Sequence, residues 1–354
     1  MAPTIRDVAR EAKVSTATVS HVLNNTGQPS QKTRQHVLAV VRRLGYIPNA
    51  HARSLASRQS RTLGIIVSDI ENPFFPEVIR SFETRARQLG YEVILGDTNY
   101  DPGLMRRATE RMLEQHVRGV AVMTSEANLQ LIHEIARRRI AVTFLDLGPV
   151  QKYVSNLRID YFSGIEQVVE HLYHLGHRRI IFAGERPGLG SNIARREAFV
   201  ACMKSRHLDP GPNLEGDLRF EGGVAAGLRA LKLKPRPTAV VAVNDLTAVG
   251  LIKAFTQAGL RVPEDISVTG FDKIQLAEYV TPSITTIDIH RDWLGRTAAD
   301  ALHELSSTDD PQGREYSIAA ELIVRGSTAP APEEVESRKS KVESEESKVE
   351  ALDF

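Results

Sequence analysis

The chain predicts two architectures in tandem: an N-terminal all-α helix-turn-helix head, and an α/β two-lobed body of parallel sheets with helices on both faces. Three observations carry this expectation. Apolar residues recur at helical spacing up to Leu44, whereas from Arg61 onward short apolar runs alternate with amphipathic stretches. Charge divides at the same place: residues 1–60 hold nine Lys/Arg against two Asp/Glu, a net +7, so in a 354-residue chain of net +1 the remainder carries −6. The alternation in the body then restarts near residue 160, which predicts two similar units.

In TIRDVAREAK, Ile5, Val8, Ala9 and Ala12 share one helix face, and Thr4 with Asp7 gives the acidic variant of a capping box. Lys13, Val14 and Ser15 leave room only for a tight turn. Ser15 caps a second helix within VSTATVSHVLN, with Val19, Val22 and Leu23 on one side. The opposite face presents Thr16, Ala17, Ser20 and His21, small and polar, slim enough for the roughly 12 Å wide major groove of DNA. A third helix runs from Ser30 through TRQHVLAVVRRLG, turns Val37, Val40, Val41 and Leu44 inward, and stops at Gly45 ahead of Pro48. A basic module on an acidic body is the electrostatic footprint of a DNA-binding head. The plainer reading is a three-helix packing unit with a solvated basic face.

The stretch GYIPNAHARSLA, following DVAREAKVSTATVSHVLN, resembles the lac and galactose repressor family of bacterial transcription regulators, and the similarity runs from Thr4 to about Ser327. Residues 1–47 are then the head and 48–60 a hinge. Asn49 can cap a helix of about two turns there, and helices shorter than ~12–15 residues are marginal alone, so the hinge is expected to order only with a partner hinge and DNA. The resemblance implies base reading by Thr16, Ala17 and His21, and phosphate contacts by Ser15, Thr18, Ser20 and Asn24. It also implies a minor-groove wedge at Leu55, flanked by Ala52 and Arg53, which would kink the duplex.

In the body, residues 61–327, the runs TLGIIVS, YEVILG, GVAVM and AVTFLD alternate with helical stretches; after a linker near Ile159–Gly164 come RRIIFAG, a helix from about Asn192 to Arg206, TAVVAV, a helix from Asp245 to Ala258, and ISVTGFD. The lobes are expected at about 61–160 and 163–286. The resemblance implies a periplasmic-binding-protein-like body and a return of the chain to the first lobe after about Thr286, with DWLGRTAADALHEL packed there. Ligands of open parallel sheets sit beyond the carboxyl ends of the strands. Asp69, Asn72, Phe74, Phe75, Asp146, Asn244 and Asp272 follow such ends, and amides and carboxylates beside an aromatic plane suit polyhydroxylated ligands. The family resemblance implies effector contacts at Asp146, Arg195, Asn244 and Asp272, with Phe74 or Phe75 stacking. Capping of the following helix is the structural alternative for each. Relatives that bind purines use an arginine and aromatics where this chain has Leu189 and Leu218, which favours a sugar or sugar derivative over a nucleobase.

One cysteine, Cys202, excludes an internal disulfide framework and a cysteine-built metal site. His171, His174 and His177 lack a cysteine or carboxylate at ligand spacing, so no metal is expected. No nucleophile elbow, dinucleotide fingerprint or phosphate loop occurs, and an enzyme is not expected. No apolar run approaches the ~20 residues of a membrane span, and a cytoplasmic location is expected. The tail, 328–354, repeats valine every seven residues (Val335, Val342, Val349). The second heptad slot holds Arg338 and Glu345, so the tail reads as disordered rather than coiled-coil. The expected function is a homodimeric, ligand-responsive repressor on palindromic operator DNA, without a cofactor; the alternatives are a corepressor-dependent nucleobase sensor and a sugar-transport protein.

Overall fold

The computed structural model describes residues 3–23, 26–46, 60–124, 129–146 and 148–333. The head is α1 (Ile5–Ala12), α2 (Thr16–Leu23) and α3 (Gln31–Leu44). The capping box is formed: Asp7 N–H donates to Thr4 Oγ1, and Thr4 N–H donates to the Asp7 carboxylate at 2.9 Å. Lys13, at φ 53°, ends α1. Ser15 Oγ accepts from Thr18 N–H at 3.0 Å and starts α2 almost at once. Ser30 caps α3 through Thr33 N–H, and Gly45, at φ 61°, closes it. Val8, Val19, Val22, Val37 and Val40 are buried together as a small core. Asn24, Asn49, Ala52, Arg53 and Leu55, and the tail from residue 334, lie outside the described residues.

The first lobe contains β1 (Thr62–Val67), α4 (Phe74–Gln88), β2 (Glu92–Asp97), α5 (Pro102–Glu114), β3 (Gly119–Met123), α6 (Leu129–Arg137), β4 (Ala141–Leu145) and β5 (Val154–Ile159). The second contains α7 (Tyr161–His174), β6 (Ile180–Ala183), α8 (Gly190–Ser205), α9 (Phe220–Ala230), β7 (Ala239–Ala242), α10 (Asp245–Gln257), β8 (Ser267–Thr269) and α11 (Leu276–Tyr279). After these come β9 (Thr286–Asp288), α12 (Arg291–Ser307), β10 (Glu315–Ile318) and β11 (Glu321–Ile323). The larger sheet has the order β10-β5-β4-β3-β1-β2 and the smaller β6-β7-β8, and every pairing in both is parallel. Strands buried on both faces explain the continuous apolar runs.

The chain crosses between the lobes three times. It leaves the first at Ile159, and α12 and β10 return to it, α12 against α4 and β10 beside β5. The antiparallel pair β9–β11 joins the two later crossings. Residues 327–331 then rejoin the second lobe, where Val268 N–H donates to Ser327 O and Ala331 N–H to Leu175 O. Phe82, Leu157, Ile287 and Phe182 belong to one apolar cluster running through both lobes.

Two expectations change. The stretch Ile159–Gly164, read as a linker, is the end of β5 and the first turn of α7, which Asp160 caps through Ser163 N–H. Helix α9 was not foreseen, because Gly222, Gly223 and Gly227 depress helix propensity. Packing reverses that preference: a Cβ on Gly223 would strike Thr247 O, and one on Gly250 would strike Phe220 O, so α9 and α10 meet backbone to backbone. That contact sets the first residues of both helices beside the interlobe cleft. No described helix is long and apolar enough to cross a membrane.

Candidate DNA-reading helix and effector cleft

On α2, Thr16, Ala17 and His21 are exposed while Val19 and Val22 are buried behind them. His21 Nδ1 lies 3.1 Å from Thr26 Oγ1, which steadies the ring. Ser15 and Thr18 hydroxyls lie 2.9 Å apart at the amino end of α2, and Ser20 is half-buried. A helix amino terminus with hydroxyls suits a phosphate.

In the body, strand ends from the two lobes line a cavity of about 80 Å³. The first lobe contributes Ser68, Asn72, Phe74, Phe75, Tyr100, Thr124 and Asp146; the second contributes Leu189, Ser191, Asn192, Arg195, Leu218, Asn244 and Asp272. Ile159 and Tyr161, at the first crossing, border both. Seven of the eight effector residues expected from the sequence therefore share this cavity.

Each side chain is held locally. Asn72 Oδ1 accepts from Phe74 N–H at 3.0 Å, a turn that opens α4 and sets Phe74 and Phe75 edge to face, 4.9 Å between centroids. Asp146, at φ 57°, accepts from Ile159 N–H at 2.9 Å and from Tyr161 Oη–H at 2.7 Å. Burial pushes its carboxyl above the usual range against those bonds, and pushes the Tyr161 phenol up. Asn244 caps α10 through Thr247 N–H and donates to Leu218 O at 3.0 Å, so its amide performs the structural duty as well as facing the cleft.

Arg195 is the centre of the second wall. Nη1 donates to Val243 O at 2.6 Å and Nη2 to Asp272 Oδ1 at 3.3 Å, while the guanidinium lies 4.0 Å from the Phe271 ring centre and 5.0 Å from that of Tyr161. Burial raises the Asp272 carboxyl, and Arg195 opposes the shift. Behind it Asp245, fully buried, accepts from Thr286 Oγ1–H at 2.6 Å and Ile274 N–H at 2.7 Å; burial and the Asp272 charge push it up to about 8. Two buried donors in this wall have no partner among the described residues, Asn192 Nδ2 and Arg195 Nε.

Asp69 is the exception. It stands outside the cavity and receives Arg219 Nη2 at 2.8 Å; the same guanidinium reaches Glu71 and Asn99, both at 3.2 Å. Arg219 begins α9 in the second lobe, so this cluster bridges the lobes at the rim, and Asp69 raises the Arg219 pKa. Arg186 lies 4.8 Å over the Tyr100 ring and spans the same gap. Sequence reasoning missed Tyr100, Tyr161 and Asn192 as cleft residues. Each lies within a few positions of a strand end or at a first helical turn, a signal that distance along the chain alone does not sharpen. His177, weighed as a metal ligand, is buried against Thr238 Oγ1, Ser267 Oγ and Ala329 O, and no metal-binding cluster occurs among the described residues.

Known proteins agree with this architecture. Residues 4–49 match the family model described as bacterial regulatory proteins, lacI family, and residues 169–328 match a periplasmic binding protein-like domain. The HTH-type transcriptional repressor PurR of Photobacterium profundum is 35% identical over 327 residues, covering 92% of this chain and 98% of the relative. Among solved structures, the lac repressor dimer bound to operator and the anti-inducer ONPF superposes with a TM-score of 0.81 at 29% identity, covering 93% of this chain and all of that one. A CelR–cellobiose complex superposes at 0.69 with 25% identity, covering 92% of this chain and 99% of that one. With a groove-sized helix on a basic head, two parallel-sheet lobes around one cleft, and relatives matched over nearly their whole length, the chain belongs to the lacI family of bacterial regulatory proteins, a DNA-binding transcriptional repressor and not an enzyme.

Proposed function

We propose that this repressor works as a homodimer in the cytoplasm, reads a palindromic operator through Thr16, Ala17 and His21, and is controlled by a sugar or sugar derivative bound between its lobes. Ser15, Thr18, Ser20 and Asn24 hold phosphates, and the hinge over 48–60 supplies Asn49, Ala52, Arg53 and the wedge Leu55. The observation that carries the effector reading is the cleft itself: Phe74 and Phe75 on one side, Arg195 and Asp272 on the other, at the strand ends of both sheets. Aromatic planes with convergent polar groups bind polyhydroxylated molecules. A second copy is the partner by analogy with the dimeric lac repressor, and Leu276 and Tyr279 on α11 leave apolar side chains exposed for it. Two protomers on two half-sites impose a near two-fold operator.

A second reading, a planar nucleobase-like corepressor, is favoured by the rings of Phe74, Tyr100 and Tyr161 around the cavity. Thermal unfolding of the full chain against sugars, sugar derivatives, nucleosides and purines separates the two, because a ligand of the folded state raises the midpoint by mass action. The proposal expects a sugar-class shift; a shift confined to purines would replace it with the second reading. On DNA selected from a random pool, Leu55→Ala is expected to lose operator affinity by roughly tenfold or more, since the wedge stabilises the bent complex, with the effector-induced midpoint shift unchanged.

A further inference from the structure

The second wall of the cleft is assembled around the amino end of α8. This sixteen-residue helix starts after Leu189, whose side chain cannot cap it, so the first-turn N–H groups have no side-chain acceptor from the usual capping position. A helix amino end carries roughly half a positive charge. Gly190, Ser191, Asn192 and Arg195 of this same stretch line the cavity. Asn192 is only 2% exposed, yet its Nδ2 finds no acceptor among the described residues, and neither does Arg195 Nε one turn later.

The nearby acceptors are engaged. Val243 O and Asp272 Oδ1 take the two terminal nitrogens of Arg195, and Asn244 Oδ1 takes Thr247 N–H. Asp146 is occupied by Ile159 N–H and Tyr161 Oη–H. A hydroxyl placed against α8 brings a proton that needs an acceptor of its own, whereas an oxyanion brings acceptors alone. Both faces of the Arg195 guanidinium are covered by Phe271 and Tyr161, so its remaining donor points only along its edge.

We propose that the amino end of α8, with Asn192 Nδ2 and Arg195 Nε, is a subsite for an oxyanion of the effector, so that the ligand is an acidic sugar derivative, carrying a carboxylate or a phosphate, rather than a neutral sugar. The inference rests on the cleft being the effector site. The polyol body then lies toward Phe74 and Phe75.

The test uses the full chain and matched probes: glucose with gluconate and glucuronate, glucose and fructose with their phosphates, adenine, and inorganic phosphate alone, each followed by thermal midpoint and titration calorimetry. The acidic members are expected to bind about tenfold or more tightly than their neutral parents, the worth of one charge-assisted hydrogen bond. Carboxylate and phosphate arms identify the source of the oxyanion. Asn192→Asp, nearly isosteric but with an acceptor in place of the donor, is expected to abolish the acidic ligand's shift while unliganded midpoint and DNA binding persist. A neutral sugar that binds as tightly as its acid or phosphate, or an Asn192→Asp protein that keeps the acidic ligand's affinity, overturns the proposal. If a neutral sugar or adenine binds and Asp272→Ala removes that binding, the cleft remains the effector site and only the oxyanion assignment fails. If no probe of any class shifts the midpoint, both fail together.

Discussion

The two walls of the cleft use their polar groups in opposite ways. On the first-lobe side, Asn72 closes a turn on Phe74 N–H, and Asp146 is filled by Ile159 and Tyr161, which leaves the aromatic pair Phe74–Phe75 as the surface presented. On the second-lobe side, Asn192 Nδ2 and Arg195 Nε are buried donors without partners among the described residues. One wall supplies a preset shape and the other supplies unmet hydrogen bonds. Buried polar groups are nearly always satisfied in folded proteins, so those that are not mark where binding energy is to be gained. At the rim, Arg219 joins the walls through Asp69, Glu71 and Asn99, and it is 40% exposed.

The comparison can be broken most sharply at Arg195. Arg195→Ala leaves Asp272 buried without its counter-ion, and loss of one partner of a buried pair costs about 3–5 kcal/mol. A fall in chemical-denaturation stability of that order, with all effector response lost, is expected; a variant as stable as the parent would mean that the second wall does not depend on this pair.

Next in size is the pH dependence behind the same wall. Asp245 is pushed up to about 8 in the fold, above its ordinary value of 3.8. The folded state therefore holds a proton that the unfolded chain has released, so stability falls as pH rises from about 4 to about 8 and levels off above. Asp146 and Asp272, also raised, act in the same direction. Asp245→Asn should flatten that decline in denaturation midpoints measured across the range; an unchanged slope would assign it to other groups.

The first wall should respond more weakly. Asn72→Ala removes only a turn bond at the start of α4, worth about 1 kcal/mol, and is expected to lower stability by that amount with a modest loss of effector affinity. If it matched Arg195→Ala in abolishing the response, the division of labour between the walls would be wrong. The smallest effect belongs to the rim. Arg219→Gln breaks partly exposed ion pairs worth about 0–1 kcal/mol, so effector affinity should fall by a few-fold at low salt and converge on the parent at high salt. Stopped-flow effector dissociation across an ionic-strength series reads this directly.

The legibility of the chain differs by region for the same physical reasons. Thr4, Ser15, Ser30 and Gly45 act on neighbours three or four residues away, so the boundaries of α1, α2 and α3 could be read from composition and spacing. Asn72, Phe74, Asp146, Asn244 and Asp272 were found because strand ends of a parallel sheet point to one edge. Helix α9 could not be read that way, since Gly222, Gly223 and Gly227 argue against a helix until α10 packs on it. Asp69 follows the same strand-end rule as its neighbours, yet it faces Arg219, 150 positions later in the chain.

By itself, then, the order of residues determined the helical head, the alternation that builds two parallel sheets, the set of strand-end polar residues and the family to which they belong, because each depends on periodicity, capping or charge over a few positions. Only the tertiary structure decided which polar groups are already satisfied and which are not. Arg195 meets Val243 and Asp272 from 48 and 77 residues away, and Asn192 is left a buried donor only once both lobes have closed around it. Whether a side chain caps, bridges or awaits a ligand depends on partners brought together by folding, and no local pattern encodes that distance.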